Sequence, residues 1–170
     1  LLMNNRLQAF CTTHNIIHYN QIGSRKGFRP ADHVFTLKTL IDQAFKSKET
    51  LHVCFVDFRK AYDTVWRDGL YHKLLGYGVN PKFVRLLKNM YSKSSLAIRV
   101  PDGRSTIFPS NVGLKQGCNM SPLLFNIFVN EFLSNIDTLF DHSPLLQGIP
   151  INGLMYADDL VLISKTQSGL

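Results

Sequence analysis

Hydrophobic and polar residues follow two rhythms along this chain, and the change from one to the other marks its elements. Residues 51–56 are apolar at nearly every position and end in Asp57, which predicts a strand covered on both faces with a carboxylate at its exit. Residues 153–156 and 160–163 are two further strand-like runs on either side of Asp158 and Asp159, and a tight turn joining them makes an acidic hairpin. The helical period takes over elsewhere. From Asp32, a suitable N-cap, Val34, Leu37, Leu40, Ile41, Ala44 and Phe45 fall on one stripe, predicted to be core, while Lys38, Asp42 and Lys46 face out. A second helix is predicted from Asp63 to Leu75, with Val65, Trp66, Leu70, Leu74 and Leu75 inward and Gly76-Tyr77-Gly78 ending it. Asp63 reads as its cap before it reads as a catalytic group.

Asn80 and Pro81 cap and start a third helix, in which Phe83, Val84, Leu86, Leu87, Met90 and Tyr91 supply the buried face. Lys82, Arg85, Lys88 and Lys93 fall elsewhere on it, as a solvated face or as a basic surface toward nucleic acid. Residues 96–100 and 105–108 predict a hairpin across Pro101-Asp102-Gly103-Arg104. Ser121-Pro122 opens a helix reaching about Ile136, with Leu124, Phe125, Phe128, Val129, Phe132 and Leu133 buried. Residues 1–10 predict a short helix through Leu2, Met3, Leu7 and Phe10, and residues 144–152 a loop leading into the acidic hairpin.

A hydrophobic content of 45% over 170 residues suffices for one core and not for two, so one domain, or part of one, is expected. The net charge of +7 is unevenly spread: 18 basic and 7 acidic residues through Lys115, then 1 basic and 5 acidic, leaving halves of +11 and −4. An acidic centre in a cationic chain is the arrangement that a metal site acting on a phosphate polymer needs. Three cysteines without a CxxC pair encode neither a disulfide framework nor a zinc knuckle, and point to a reducing, nuclear or cytoplasmic setting. No apolar run approaches the ~20 residues of a membrane span. Starting at Leu1 without a Met and stopping just after a strand, the sequence reads as a piece of a longer polypeptide.

The adjacent carboxylates of Asp158 and Asp159 repel each other, so a turn that holds them has a use for a cation, and Asp57 is a second acidic strand end. Residues 21–30 form a basic loop containing Gly23, Arg25, Lys26, Gly27 and Arg29. Its amides and guanidinium groups could meet phosphates, and the same composition also suits a solvated connection. Gly113 and Gly117 leave room beside the backbone for a ligand, and Gln116 between them offers both donor and acceptor to a sugar or base edge. His14 and His18 have the spacing of a helical metal pair but lack the glutamate of HExxH, so a structural role is preferred.

Three of these blocks, in this order, resemble the palm of a reverse transcriptase, most closely the non-LTR (LINE-type) retrotransposon enzymes. Phe55-Val56-Asp57-Phe58-Arg59-Lys60-Ala61-Tyr62-Asp63 is similar to motif A, Gly113-Leu114-Lys115-Gln116-Gly117 through Ser121-Pro122-Leu123-Leu124-Phe125-Asn126 to motif B, and Tyr156-Ala157-Asp158-Asp159 to motif C. Gln21-Ile22-Gly23 through Arg25, with Asp32, resembles the loop and helix before motif A, so the likeness covers nearly the whole chain. It implies an α+β palm, an antiparallel sheet packed on helices, with residues 1–50 as a partial fingers connection, residues 51–170 as palm, and no thumb.

The resemblance also implies RNA-directed DNA polymerisation by two-metal nucleotidyl transfer, with an RNA template, a DNA primer and deoxynucleoside triphosphates as partners and no membrane. Asp57, Asp158 and Asp159, with the carbonyl of Phe58, would hold two Mg²⁺ ions, Mn²⁺ being a substitute. Tyr62 would crowd a ribose 2′-hydroxyl, Gln116, Gly117 and Arg25 would meet the incoming nucleotide, and Lys115, Tyr156 and Ala157 would lie along nucleic acid. Ser24 departs from the family pattern, which commonly has Phe there. The family's fingers strands and thumb are missing, so activity is expected of the parent protein and not of these residues alone. A degenerate copy that only binds nucleic acid, a group II intron-type maturase and a two-metal nuclease are the rival readings.

Overall fold

The computed structural model of the chain describes residues 1–136 and 142–170. In order these form α1 (Leu2–Thr13), α2 (Pro30–Ser47), β1 (His52–Asp57), α3 (Arg67–Gly76) and α4 (Pro81–Ser92). Four two-residue strands follow, β2 (Ser95–Leu96), β3 (Arg99–Val100), β4 (Gly103–Arg104) and β5 (Phe108–Pro109). The chain continues through α5 (Ser121–Ile136), β6 (Leu145–Leu146), β7 (Ile149–Pro150), β8 (Gly153–Tyr156) and β9 (Asp159–Ser164). The expected antiparallel sheet is present in the order β1-β9-β8, packed on helices.

Apolar burial places this sheet. Leu7 and Cys11 of α1, Leu70 and Leu74 of α3, Leu87 and Tyr91 of α4, and Leu124, Ile127 and Leu133 of α5 meet Met155 and Leu160 beneath one face. Burial pushes the Cys11 thiol up to about 11, so it packs as an inert small hydrophobe. A smaller cluster of Leu40, Ile151, Leu154 and Ile163 joins α2 to the other face. Because side chains alternate along a strand, Val53, Phe55 and Asp57 share that second face, which α2 covers only at the end away from Asp57.

The departures from expectation concern partners more than periods. Residues 51–56, predicted to be covered on both faces, form an edge strand with Phe55 74% exposed. The stripe of α2 is real, but only Leu40 is fully buried, with Val34, Ile41 and Phe45 left open because the helix meets the sheet along one line. Its start is Pro30, with Asp32 one turn in, accepting from the Arg29 N–H at 2.7 Å. Helix α3 begins at Arg67, not Asp63: Lys60 is left-handed at φ +52 and residues 60–64 close as a turn. Trp66, Leu75, Leu86, Met90 and Phe132, all expected inside, are exposed. Residues 144–152, expected as a loop, contain the small hairpin β6–β7.

Buried polar side chains tie loops to this frame. On α5, Asn130 accepts from the His18 N–H at 2.7 Å and donates to the Ile16 carbonyl at 2.8 Å, while Asn126 donates to the Gly23 carbonyl at 2.8 Å. Arg67, buried at the start of α3, donates to the carbonyls of Ser110, Val112 and Gly113 and lies over the Tyr91 ring at 4.7 Å. No carboxylate among the described residues pairs with it; carbonyl dipoles compensate its charge. Removing it leaves the buried bond to the Gly113 carbonyl and the partly buried bonds to the Ser110 and Val112 carbonyls unmade. Arg67→Ala is expected to cost about 2–4 kcal/mol of stability, on the scale of lost charge-assisted hydrogen bonds, measured by urea unfolding of the chain.

Candidate active site

The pairing of β1 with β9 sets Asp57 directly opposite Asp159, and the pairing of β9 with β8 sets Asp159 opposite Tyr156. Directly opposed residues lie on one face of a sheet, so two carboxylates and a phenol share the open end of the second face. Asp158 stands beside them in the two-residue turn. Asp57 and Asp159 are exposed and Asp158 half-buried. Like charges directly opposed in a ladder are destabilising, and none of the three carboxylates forms an ion pair among the described residues.

Among the described residues no three His, Cys, Asp or Glu side chains, Asp57, Asp158 and Asp159 included, form a group that could hold a metal ion in this arrangement. The donor set is open and made only of oxygen. That fits a hard cation such as Mg²⁺, which binds through one or two carboxylates and fills its remaining positions with water and phosphate oxygens. It does not fit zinc, which prefers a closed set of nitrogen and sulfur ligands.

Ala157, the first residue of the turn, is left-handed at φ +54, where two-residue hairpins favour glycine. Gln21 braces it: the side-chain oxygen accepts from the Ala157 N–H at 3.0 Å, and the side-chain nitrogen donates to the Ala157 carbonyl at 2.9 Å. The sequence placed Gln21 in a basic loop and saw no such role. The available signal was a glutamine flanked by Ile22 and Gly23 in a block otherwise noted for its charge.

A second cluster is built from the loops before α3 and before α5. Leu114 donates through its N–H to the Tyr62 carbonyl at 2.7 Å and Gly113 to the Val65 carbonyl at 3.0 Å. A Cβ on Gly113 would lie 2.5 Å from the Asp63 carbonyl oxygen, so only glycine permits this approach. Gln116 donates to the Asp63 carboxylate at 2.9 Å, which gives Asp63 a holding task in place of the expected helix cap. Tyr62 stacks on Phe125 with ring centroids 4.7 Å apart. Burial, and then the negative charge of Asp158, push its phenol above the ordinary range, so it stays a neutral hydroxyl beside the acidic turn. Tyr62, Lys115, Gln116, Gly117, Cys118 and Ser121 line one open depression of about 390 Å³.

Arg25 is elsewhere. Its guanidinium donates to the His18 and Gln21 carbonyls at 3.2 and 3.1 Å and lies over Phe28 at 4.9 Å, and it lines a separate groove of about 800 Å³ against α1. His14 caps α1 and His18 lies beyond that helix, so the two do not face each other as a helical pair.

Residues 2–170 match the family described as reverse transcriptase (RNA-dependent DNA polymerase). Among curated relatives, the probable RNA-directed DNA polymerase from transposon BS of Drosophila melanogaster is 30% identical over 163 residues, covering 95% of this chain and 17% of that protein. The Pol polyprotein from the type-2 retrotransposable element R2DM of the same species is 27% identical, with 97% and 16% covered. The chain thus spans about a sixth of the length of these relatives. In fold it is similar to telomerase from Candida albicans solved with a fragment of telomeric RNA, at a TM-score of 0.71 and 10% identity over 98% of this chain and 29% of that one. Apo telomerase from Candida tropicalis gives 0.67 at 14% identity, over 96% and 34%. With the sheet, the acidic strand ends and the match over residues 2–170 in agreement, the chain belongs to the reverse transcriptase (RNA-dependent DNA polymerase) family.

Proposed function

We propose that the full-length protein is an RNA-directed DNA polymerase of a non-LTR retrotransposon, and that this chain is its palm, extending a DNA 3′-hydroxyl on an RNA template. The observation that carries the reading is the opposed pair Asp57 and Asp159 beside Asp158, three carboxylates with no ion-pair partner among the described residues, in a chain that matches the family over residues 2–170. The names of the transposon relatives support the same assignment. Asp57 and Asp158 act as the principal metal ligands, helped by the Phe58 carbonyl, and Asp159 adds negative potential alongside. Two divalent ions, Mg²⁺ or Mn²⁺ in its place, would make the primer hydroxyl a better nucleophile at the α-phosphorus and stabilise the departing pyrophosphate.

The remaining tasks belong to side chains. Tyr62, fixed by its stack on Phe125, is a wall against a ribose 2′-hydroxyl. Gln116, held by Asp63, presents its amide to the incoming nucleotide, and Gly117 leaves its backbone unobstructed, since no atom lies within 4 Å of where its Cβ would stand. Lys115 lends positive charge to the rim of that depression, and Tyr156 and Ala157 flank the primer end. Lys82, Arg85 and Lys93, all exposed, suit the phosphate backbone. A nuclease reading leaves Tyr62 and Gln116 without a task.

In the full-length protein, Asp57→Asn or Asp158→Asn is expected to reduce Mg²⁺-dependent extension of a DNA primer on RNA to background; extension at the native rate would refute the ligand assignment. Tyr62→Val is expected to lower discrimination against ribonucleotides by about tenfold or more, read from the ratio of kcat/KM values for a ribo- and a deoxynucleoside triphosphate. An unchanged ratio would remove Tyr62 from the sugar site.

A further inference from the structure

We propose that Gln21 is a positioning residue of the acidic hairpin: its side-chain amide holds Ala157 in the left-handed conformation and thereby sets where Asp158 stands. The inference rests on the reading of Asp158 as a metal ligand.

The need comes from the turn. A non-glycine residue at φ +54 occupies a sparsely populated region and keeps it only where its surroundings hold it there. Gln21 supplies that hold by taking both backbone groups of Ala157, while its oxygen also accepts from the Gly23 N–H at 2.9 Å. Its side chain is fully buried and Ala157 half-buried, so water reaches these bonds only from the side of the turn. The amide is also the right chemistry. A carboxylate at position 21 would add to the repulsion around Asp158 and Asp159, and an ammonium or guanidinium would neutralise the charge a cation must meet. A neutral group with one donor and one acceptor fixes the backbone and leaves the electrostatics alone.

The clamp is itself anchored. Ile22 donates to the Met155 carbonyl at 3.0 Å and Met155 to the Asn20 carbonyl at 2.9 Å, so residues 20–22 run beside β8 as a parallel bridge. Asn126 and Arg25 secure the carbonyls of Gly23 and Gln21 from behind. Gly23 must be glycine for the loop to come this close: a Cβ there would lie 2.1 Å from the Ala157 nitrogen and 2.8 Å from its Cα, both backbone atoms of the turn. Position 23 thus offers a way to disturb the turn without touching Gln21.

Residues that orient a metal ligand from behind commonly cost 10–100-fold in metal affinity or activity when removed, and about tenfold is expected here. Gln21→Met preserves bulk and removes both polar functions; Gly23→Ala keeps Gln21 and forces the turn away. In the chain, hydrogen exchange of the Ala157 amide is expected to accelerate at least about tenfold in both variants, with the amides of β9 unchanged. Mn²⁺ binding to the chain, followed by electron paramagnetic resonance, is expected to weaken by a similar factor, and the Mg²⁺ midpoint for primer extension by the full-length protein to rise with it. A variant that loses β9 protection as well has lost the fold, and Gln21→Asn, too short to span both groups, then takes its place. Unchanged Ala157 exchange, or accelerated exchange with unchanged Mn²⁺ affinity and Mg²⁺ midpoint, overturns the proposal. If Asp158→Asn leaves both Mn²⁺ binding and extension intact, the ligand reading itself has failed, and the proposal with it.

Discussion

Register between β1 and β9 is the constraint on which the site depends. Side chains alternate with a period of two, so a slip of one residue would send Asp57 into the apolar layer and bring Val56 to the open face. The ladder is held against that slip by apolar pairs along its length, Val53 with Ile163, Val56 with Leu160 and Phe55 with Val161. Leu160 and Ile163 are almost wholly buried. Their burial offsets the cost of setting Asp57 opposite Asp159 at the end of the same ladder. The acidic pair is the exposed terminus of a hydrophobic register.

The loops around that terminus are held by a second force as well. Tyr62, Gln116 and Ala157 lie between buried apolar anchors, Ala61 and Val65, Leu114 and Met120, and Met155 and Leu160, and buried polar side chains complete the placement: Arg67 for residues 110–113, Asn126 and Asn130 for residues 16–23, and Gln21 for the turn at Ala157. Hydrophobic contact is non-directional and would leave such loops several acceptable positions. Hydrogen bonds in a water-poor interior are directional, and breaking one is costly, so the bonds formed here select one arrangement, even though the Asn126 side-chain oxygen is buried without a hydrogen-bond partner among the described residues. His33 belongs to the same scaffold: burial lowers its pKa, and its ring nitrogen contacts the carbonyls of Asn20 and Met155 where the loop meets β8.

The two parts of the candidate site therefore have separate supports. The carboxylates ride on the sheet, while the depression lined by Tyr62 and Gln116 rides on loops laced between α3 and α5. They meet where the charge of Asp158 bears on the Tyr62 phenol. Tyr62 also leans on Phe125, a residue of the helix that carries Asn126, so the same turn of α5 backs the depression and anchors the loop that clamps the hairpin.

Much of this was legible in the residues. The acidic hairpin, the strand ending in Asp57, the helix opened by Ser121 and the three blocks that resemble a reverse transcriptase palm are local patterns, and local patterns survive in a one-dimensional string because period and turn chemistry are properties of neighbours. Whether a stripe is buried is a property of what lies against it, which is why Val34, Phe45 and Trp66 read as core and stand exposed. Asp63 reads as a cap because capping is the commonest local use of that residue, yet its partner is Gln116, more than fifty positions away. Only the folded chain could reveal that Gln21 reaches Ala157 across a separation of 136 residues, since a side-chain amide carries no periodic signal and its choice of partner is made by tertiary proximity alone.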